Sequence, residues 1–102
     1  MIHGLNDLEY EYIFNNLIGP LKKAGCSVFL FGSRANKKNK KYSDIDLLYT
    51  VHQKNDSEIE RLIFKLMAVI DESKFPYKID LVKNEELAAS FRTSVDTEKI
   101  EL

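Results

Sequence analysis

The sequence predicts an α/β fold, a small mixed β-sheet with helices packed mainly on one face, and three observations carry that prediction. Short runs rich in β-branched and aromatic residues (Cys26 to Phe31, Asp44 to Val51, Tyr77 to Val82) alternate with stretches whose apolar residues recur every three or four positions. The first run ends at Gly32-Ser33, a small-residue turn of the kind that opens a buried strand onto solvent. The second carries Asp44 and Asp46, and strand residues two apart share a face.

In chain order, Leu8, Tyr12, Ile13, Phe14, Leu17 and Ile18 give residues 6 to 18 the spacing of an amphipathic helix, with Asn6 as N-cap. Gly19-Pro20 should interrupt it, with one further turn from Leu21 to Ala24 and a stop at Gly25. Cys26 to Phe31 is the first strand. Residues 36 to 41 lack apolar periodicity and read as a loop, with room for a helical turn after Ser33. Asp44 to Val51 is the second strand, His52 to Asn55 the turn out of it, and Asp56 or Ser57 the cap of a strong helix with Ile59, Leu62, Ile63, Leu66, Met67 and Ile70 on one face. Pro76 closes the next connection, Tyr77 to Val82 is the third strand, and Asn84 caps a last helix through Leu87 and Phe91. Val95, Ile100 and Leu102 are the only apolar anchors of the tail, which admits either a frayed end or a short strand.

With 102 residues the chain is expected to form one domain, too small for a catalytic unit plus a separate substrate domain. The apolar fraction of 44% and charged fraction of 30% are those of an ordinary globular protein. No apolar run approaches a membrane span, and the acidic, amphipathic N-terminus does not read as a secretory leader. Cys26 is the only cysteine, which excludes an intrachain disulfide and fits a reducing cytoplasm. His3 and His52 stand at no metal-ligand spacing, and Phe29, Phe31, Phe64 and Phe91 read as packing residues, leaving Tyr42 as the aromatic placed to touch a substrate.

The net charge of −1 favours no polyanion, but the charge is lopsided. Arg34, Lys37, Lys38, Lys40 and Lys41 supply five of the fifteen cations, and no acid interrupts them before Asp44. They form a positive arm beside the Gly-Ser turn, suited to attracting polyphosphate or nucleic acid. Neighbouring carboxylates on a strand repel, so Asp44 and Asp46 call for a compensating cation. Mg²⁺ is the natural one, since it binds through one or two carboxylates completed by substrate phosphates, and Gly32-Ser33 can offer those phosphates backbone N–H groups and a hydroxyl. Asp80, between Ile79 and Leu81, repeats the pattern of Ile45-Asp46-Leu47.

Gly32-Ser33, ten residues, Asp44-Ile45-Asp46 and then Asp80 on a later strand resemble the DNA polymerase β-like nucleotidyltransferase superfamily. Phe31-Gly32-Ser33-Arg34-Ala35 and Ser43-Asp44-Ile45-Asp46-Leu47 are similar to its minimal nucleotidyltransferases, and the similarity extends from the helix before the first strand to the helix after Asp80. The resemblance implies a palm-like fold, a nucleoside triphosphate donor, two Mg²⁺ ions, and transfer of a nucleoside monophosphate to an acceptor hydroxyl with pyrophosphate leaving. It implies that Asp44 and Asp46 bridge the metals and Asp80 holds the one that activates the acceptor. Gly32 and Ser33 would grip the β and γ phosphates, with Arg34 as a helper. The chain departs from the pattern at Asn36-Lys37, where many minimal members carry a basic residue and then glycine.

Minimal members of this kind are often the antitoxin paired with a small helical HEPN protein, and some add AMP to a tyrosine of that partner. The resemblance therefore implies a metal-dependent transferase moving AMP from ATP to a partner protein in a HEPN toxin–antitoxin pair. Two other readings stay open: a nucleotide-loaded antitoxin that acts by contact alone, and a small-molecule transferase of the aminoglycoside type. Nucleic acid stands behind these as a partner.

Overall fold

The computed structural model describes residues 2–53 and 55–102. Its first helix begins where the sequence places it, because Asn6 and Glu9 close a capping box. Asn6 Oδ1 accepts the Glu9 N–H at 2.8 Å, and Glu9 Oε1 accepts the Asn6 N–H at 2.9 Å, satisfying two donors that a helix start leaves without partners. Helix α1 (Asp7–Ile13) runs through a π-helical turn (Phe14–Ile18) directly into α2 (Gly19–Lys23). The interruption expected at Gly19-Pro20 is thus corrected. Pro20 has no N–H, and its ring would press on a carbonyl four residues back. The wider turn relieves both, with the Gly19 N–H reaching back five residues to Phe14 O.

Four strands form one mixed sheet in the order β3-β2-β1-β4. Strands β1 (Cys26–Phe31) and β2 (Ile45–Val51) are antiparallel, β2 and β3 (Ile79–Lys83) are parallel, and β4 (Ile100–Glu101) pairs antiparallel with β1 at Phe29 and Leu30. A parallel pair needs a crossover, and α3 (Asp56–Glu72) supplies it. Its N-cap is Asn55, whose side chain makes no capping bond, rather than Asp56 or Ser57; Asp56 instead pairs with Lys83 Nζ at 3.0 Å. Lys54, part of the predicted turn before α3, lies outside the described residues.

The two sheet faces differ in kind. Val28, Leu30, Ile45, Leu47 and Ile79 point to one face and are buried against Ile13, Leu17, Leu21, Ile59 and Ile70 of the helices before β1 and of α3. That packing is the main core, and it confirms helices mainly on one side. The opposite face carries Phe29, Phe31, Leu48, Val82, Asp46 and Asp80. Helix α4 (Ala89–Glu98) borders this second face, its Val95 only 6% exposed.

The chain after β3 departs from expectation. Asn84 opens a short 3-10 turn (Asn84–Glu86) rather than capping a helix; the last helix, α4, begins only at Ala89, holds Phe91 as expected but not Leu87, and runs on to Glu98 into the tail the sequence left undecided. Arg92 of α4 ties back to Asn84, donating from Nη1 to Oδ1 at 2.8 Å and from Nη2 to the carbonyl at 2.6 Å. Of the two options for the tail, Ile100–Glu101 takes the strand. Among the described residues no helix is long and apolar enough to cross a membrane.

Candidate active site

The acids meet at one corner of the second face. Asp46 and Asp80 are direct register partners on the parallel strands β2 and β3, so their side chains leave the sheet side by side. Phe31, the last residue of β1, is the antiparallel partner of Asp46, which brings the following Gly32-Ser33 turn to the same corner. Asp44 lies one residue before β2 begins, exposed, on the approach to the same face. Asp46, Asp80 and the predicted turn therefore come together, and Asp44 lies near enough for its charge to act on Asp46.

Gly32 is needed there. Its φ of +76° lies in the left-handed region, and a β-carbon on it would collide with the Asp46 carboxylate. The backbone thus touches the acid so closely that a ligand held by Asp46 also lies against the turn. The turn itself (Gly32–Arg34) is one winding of 3-10 helix, the helical turn the sequence allowed, starting slightly earlier than expected.

Burial pushes the Asp46 carboxyl above the ordinary aspartate range, and the charges of Asp80 and Asp44 push it further; Arg34 and Lys78 pull it back in part. Carboxylates only partly compensated in this way fit a hard divalent cation. Among the described residues no three of His, Cys, Asp and Glu form a ready-made cage. Mg²⁺ takes one or two carboxylates and completes its shell from water and substrate phosphate, a shell that Asp46 and Asp80, side by side, could begin. The donor chemistry therefore fits, with a nucleotide as part of the coordination.

Sequence reasoning missed two features. Lys78, whose carbonyl accepts the Ile45 N–H at 2.8 Å, stands beside the acids, but nothing in the linear sequence separates it from other surface lysines. A cleft of about 400 Å³ also opens between the acid face and α4, lined by Phe31, Asp80, Val82, Leu87, Phe91 and Val95 among others. Phe91 was expected to be a packing residue, yet it is 60% exposed on the wall of that cleft. Phe64 is likewise 77% exposed on α3. Tyr42 is exposed, as expected, with its ring 6.3 Å from that of Tyr77.

Arg34 is 2% exposed, with its guanidinium bonded to the chain's own backbone at the His3 and Ser43 carbonyls. Lys37, Lys38, Lys40 and Lys41 remain exposed and make up the positive arm without it.

Paired acids on adjacent strands thus stand against a glycine turn, beside an open cleft. The family model for Polymerase beta, Nucleotidyltransferase matches residues 22–102, and the chain belongs to that family. Among solved structures it resembles a chain of a toxin–antitoxin with AMP-PNP (23% identity over 85% of this chain and 69% of that one, TM-score 0.57). It also resembles a chain of the tri-AMPylated Shewanella oneidensis HEPN toxin in complex with MNT antitoxin (23% identity, 95% and 71% covered, TM-score 0.53). At such identities the likeness establishes the fold. Comparison with curated proteins returns no match.

Proposed function

We propose that this nucleotidyltransferase moves AMP from ATP to a hydroxyl of a helical HEPN-type partner protein and acts as the antitoxin of that pair. The observation that carries the reading is the register of Asp46 and Asp80, side by side on parallel strands and flanked by the Gly32-Ser33 turn. Two divalent ions held by Asp44, Asp46 and Asp80 would stabilise charge on the entering and leaving oxygens of an in-line displacement. Gly32 and Ser33 hold the phosphate tail against that corner, and Asp80 faces the acceptor.

The cleft beside Asp80 supports an acceptor carried on a protein side chain. Its walls include the apolar and aromatic side chains of Phe31, Val82, Leu87 and Phe91 together with the carboxylates of Asp80 and Glu98. An aromatic ring bearing a hydroxyl would bury its ring there and present its oxygen to the acid. The exposed lysines between the turn and β2 supply a positive field for an incoming triphosphate.

The test is transfer of label from α-labelled ATP to a co-purified helical partner, with Mg²⁺ present and with it chelated. Metal-dependent labelling of the partner supports the proposal. Neutralisation of the partner with no label in either condition would favour antitoxin action by contact, and label on an added aminoglycoside would favour the small-molecule reading.

A further inference from the structure

Arg34 is the only charged residue buried in the core among the described residues. Nη2 donates to the Ser43 carbonyl at 2.7 Å, Nη1 donates to the His3 carbonyl at 2.9 Å, and the guanidinium carbon lies 4.9 Å from the centre of the Tyr77 ring. These bonds partner the two terminal nitrogens while Nε is buried without a partner among the described residues, so the cost of burying the guanidinium is only partly offset. The planar fork suits this task, because its two ends reach different segments at once.

Those segments flank the catalytic corner. Ser43 immediately precedes Asp44, and its hydroxyl also accepts the Lys40 N–H at 2.7 Å. On the other side of Asp44, the Ile45 N–H is held by the Lys78 carbonyl at 2.8 Å. Asp44 itself stands outside the β2 ladder, so its backbone is fixed by these two neighbours. The other arm of Arg34 reaches the N-terminal turn, where Gly4 makes room: a β-carbon there would come within 2.7 Å of Nη1, and the φ of +80° favours glycine in any case.

We propose that Arg34 is a positioning residue that fixes the Ser43 carbonyl and thereby aims the Asp44 carboxylate at the metal site, with Tyr77 and the N-terminal turn bracing it. This rests on the reading of Asp44 as a metal ligand. Removing the fork leaves all three acids in place but frees the backbone that carries one of them.

The experiment is titration of the full chain with Mn²⁺, followed by its paramagnetic resonance signal, without nucleotide and with AMP-PNP. Arg34→Lys keeps the charge but cannot span both carbonyls, Tyr77→Leu removes the brace, and Asp44→Asn is the reference for a lost ligand. Outer contacts to metal ligands typically change affinity by about 10–100-fold, so Arg34→Lys and Tyr77→Leu should each weaken Mn²⁺ binding by about tenfold while circular dichroism stays parental. Should Arg34→Lys fail to fold, the Tyr77→Leu result decides alone. Parental Mn²⁺ affinity in the folded variants, with AMP-PNP binding weakened, would overturn the proposal and return Arg34 to a phosphate contact. If neither the parent nor Asp44→Asn bound Mn²⁺ in either condition, the metal reading itself would fall, and the positioning role with it.

Discussion

Asp46→Asn should make the metal-free protein more stable while destroying its activity. Register partners on adjacent strands are about 4.8 Å apart, so the Asp46 and Asp80 carboxylates stand about 5 Å from each other. At that separation two charges repel by about 0.8 kcal/mol in water and about 3 kcal/mol at an effective dielectric constant near 20. Asp80 is exposed and Asp46 half-buried, so solvent screening places the repulsion toward the lower value, about 1 kcal/mol. For a domain near this size, relief of 1 kcal/mol corresponds to a rise in Tm of about 4–8 °C.

The pH dependence follows from the raised carboxyl. Folded Asp46 holds its proton to higher pH than in the unfolded chain, so its ionisation opposes folding. The opposing contribution is absent well below the unfolded aspartate value of about 3.9, grows as pH rises through the raised folded value, and is constant above it. The advantage of Asp46→Asn should therefore be full at neutral pH and vanish in acid. Mg²⁺ at tenfold excess over its Kd should stabilise the parent by about 1.4 kcal/mol and the variant by much less. Thermal melts in chelator across the acid range, repeated with Mg²⁺, check all three points. A variant no more stable than the parent at neutral pH without metal would refute the argument from carboxylate repulsion.

Gly32→Ala should cost about 1–2 kcal/mol through its left-handed backbone and should also depress turnover by displacing Asp46; chemical denaturation and a transfer assay report the two effects. Phe91→Ala should change stability by no more than about 0.5 kcal/mol, as expected of an exposed side chain, while raising the KM for the protein acceptor and leaving that for ATP near parental. Replacing Lys37, Lys38, Lys40 and Lys41 together by Gln should weaken ATP or partner binding. The loss should shrink as salt rises, because exposed charges are screened beyond about 8 Å at physiological ionic strength; equal affinities at low and high salt would make the loop a solubilising surface only.

The strands and the acid corner were legible in the sequence because both depend on a period of two. The β-branched and aromatic run of Cys26 to Phe31 marked a strand, and the period of two put Asp44 and Asp46 on a shared face. Asn6 likewise marked a helix start through purely local chemistry. Gly19-Pro20 misled because the π turn that accommodates it depends on packing of Leu17 and Ile18 against the sheet, which local propensity does not register. What Arg34 holds was hidden for a related reason. Beside Gly-Ser it looks like a phosphate ligand, and only the tertiary positions of His3, Ser43 and Tyr77 show what it holds. The cleft under α4 was hidden because it joins Phe31 to Phe91, segments sixty residues apart.

The central claim is that Asp44, Asp46 and Asp80 transfer a nucleoside monophosphate to a protein hydroxyl. Its most direct test is intact-mass analysis of the helical partner after incubation with ATP, Mg²⁺ and either the parent chain or Asp80→Asn. The parent should add one or more AMP groups to the partner, whereas Asp80→Asn, still folded and still able to bind ATP, should add none. A partner left unmodified by the parent, or modified equally by Asp80→Asn, would contradict the assignment.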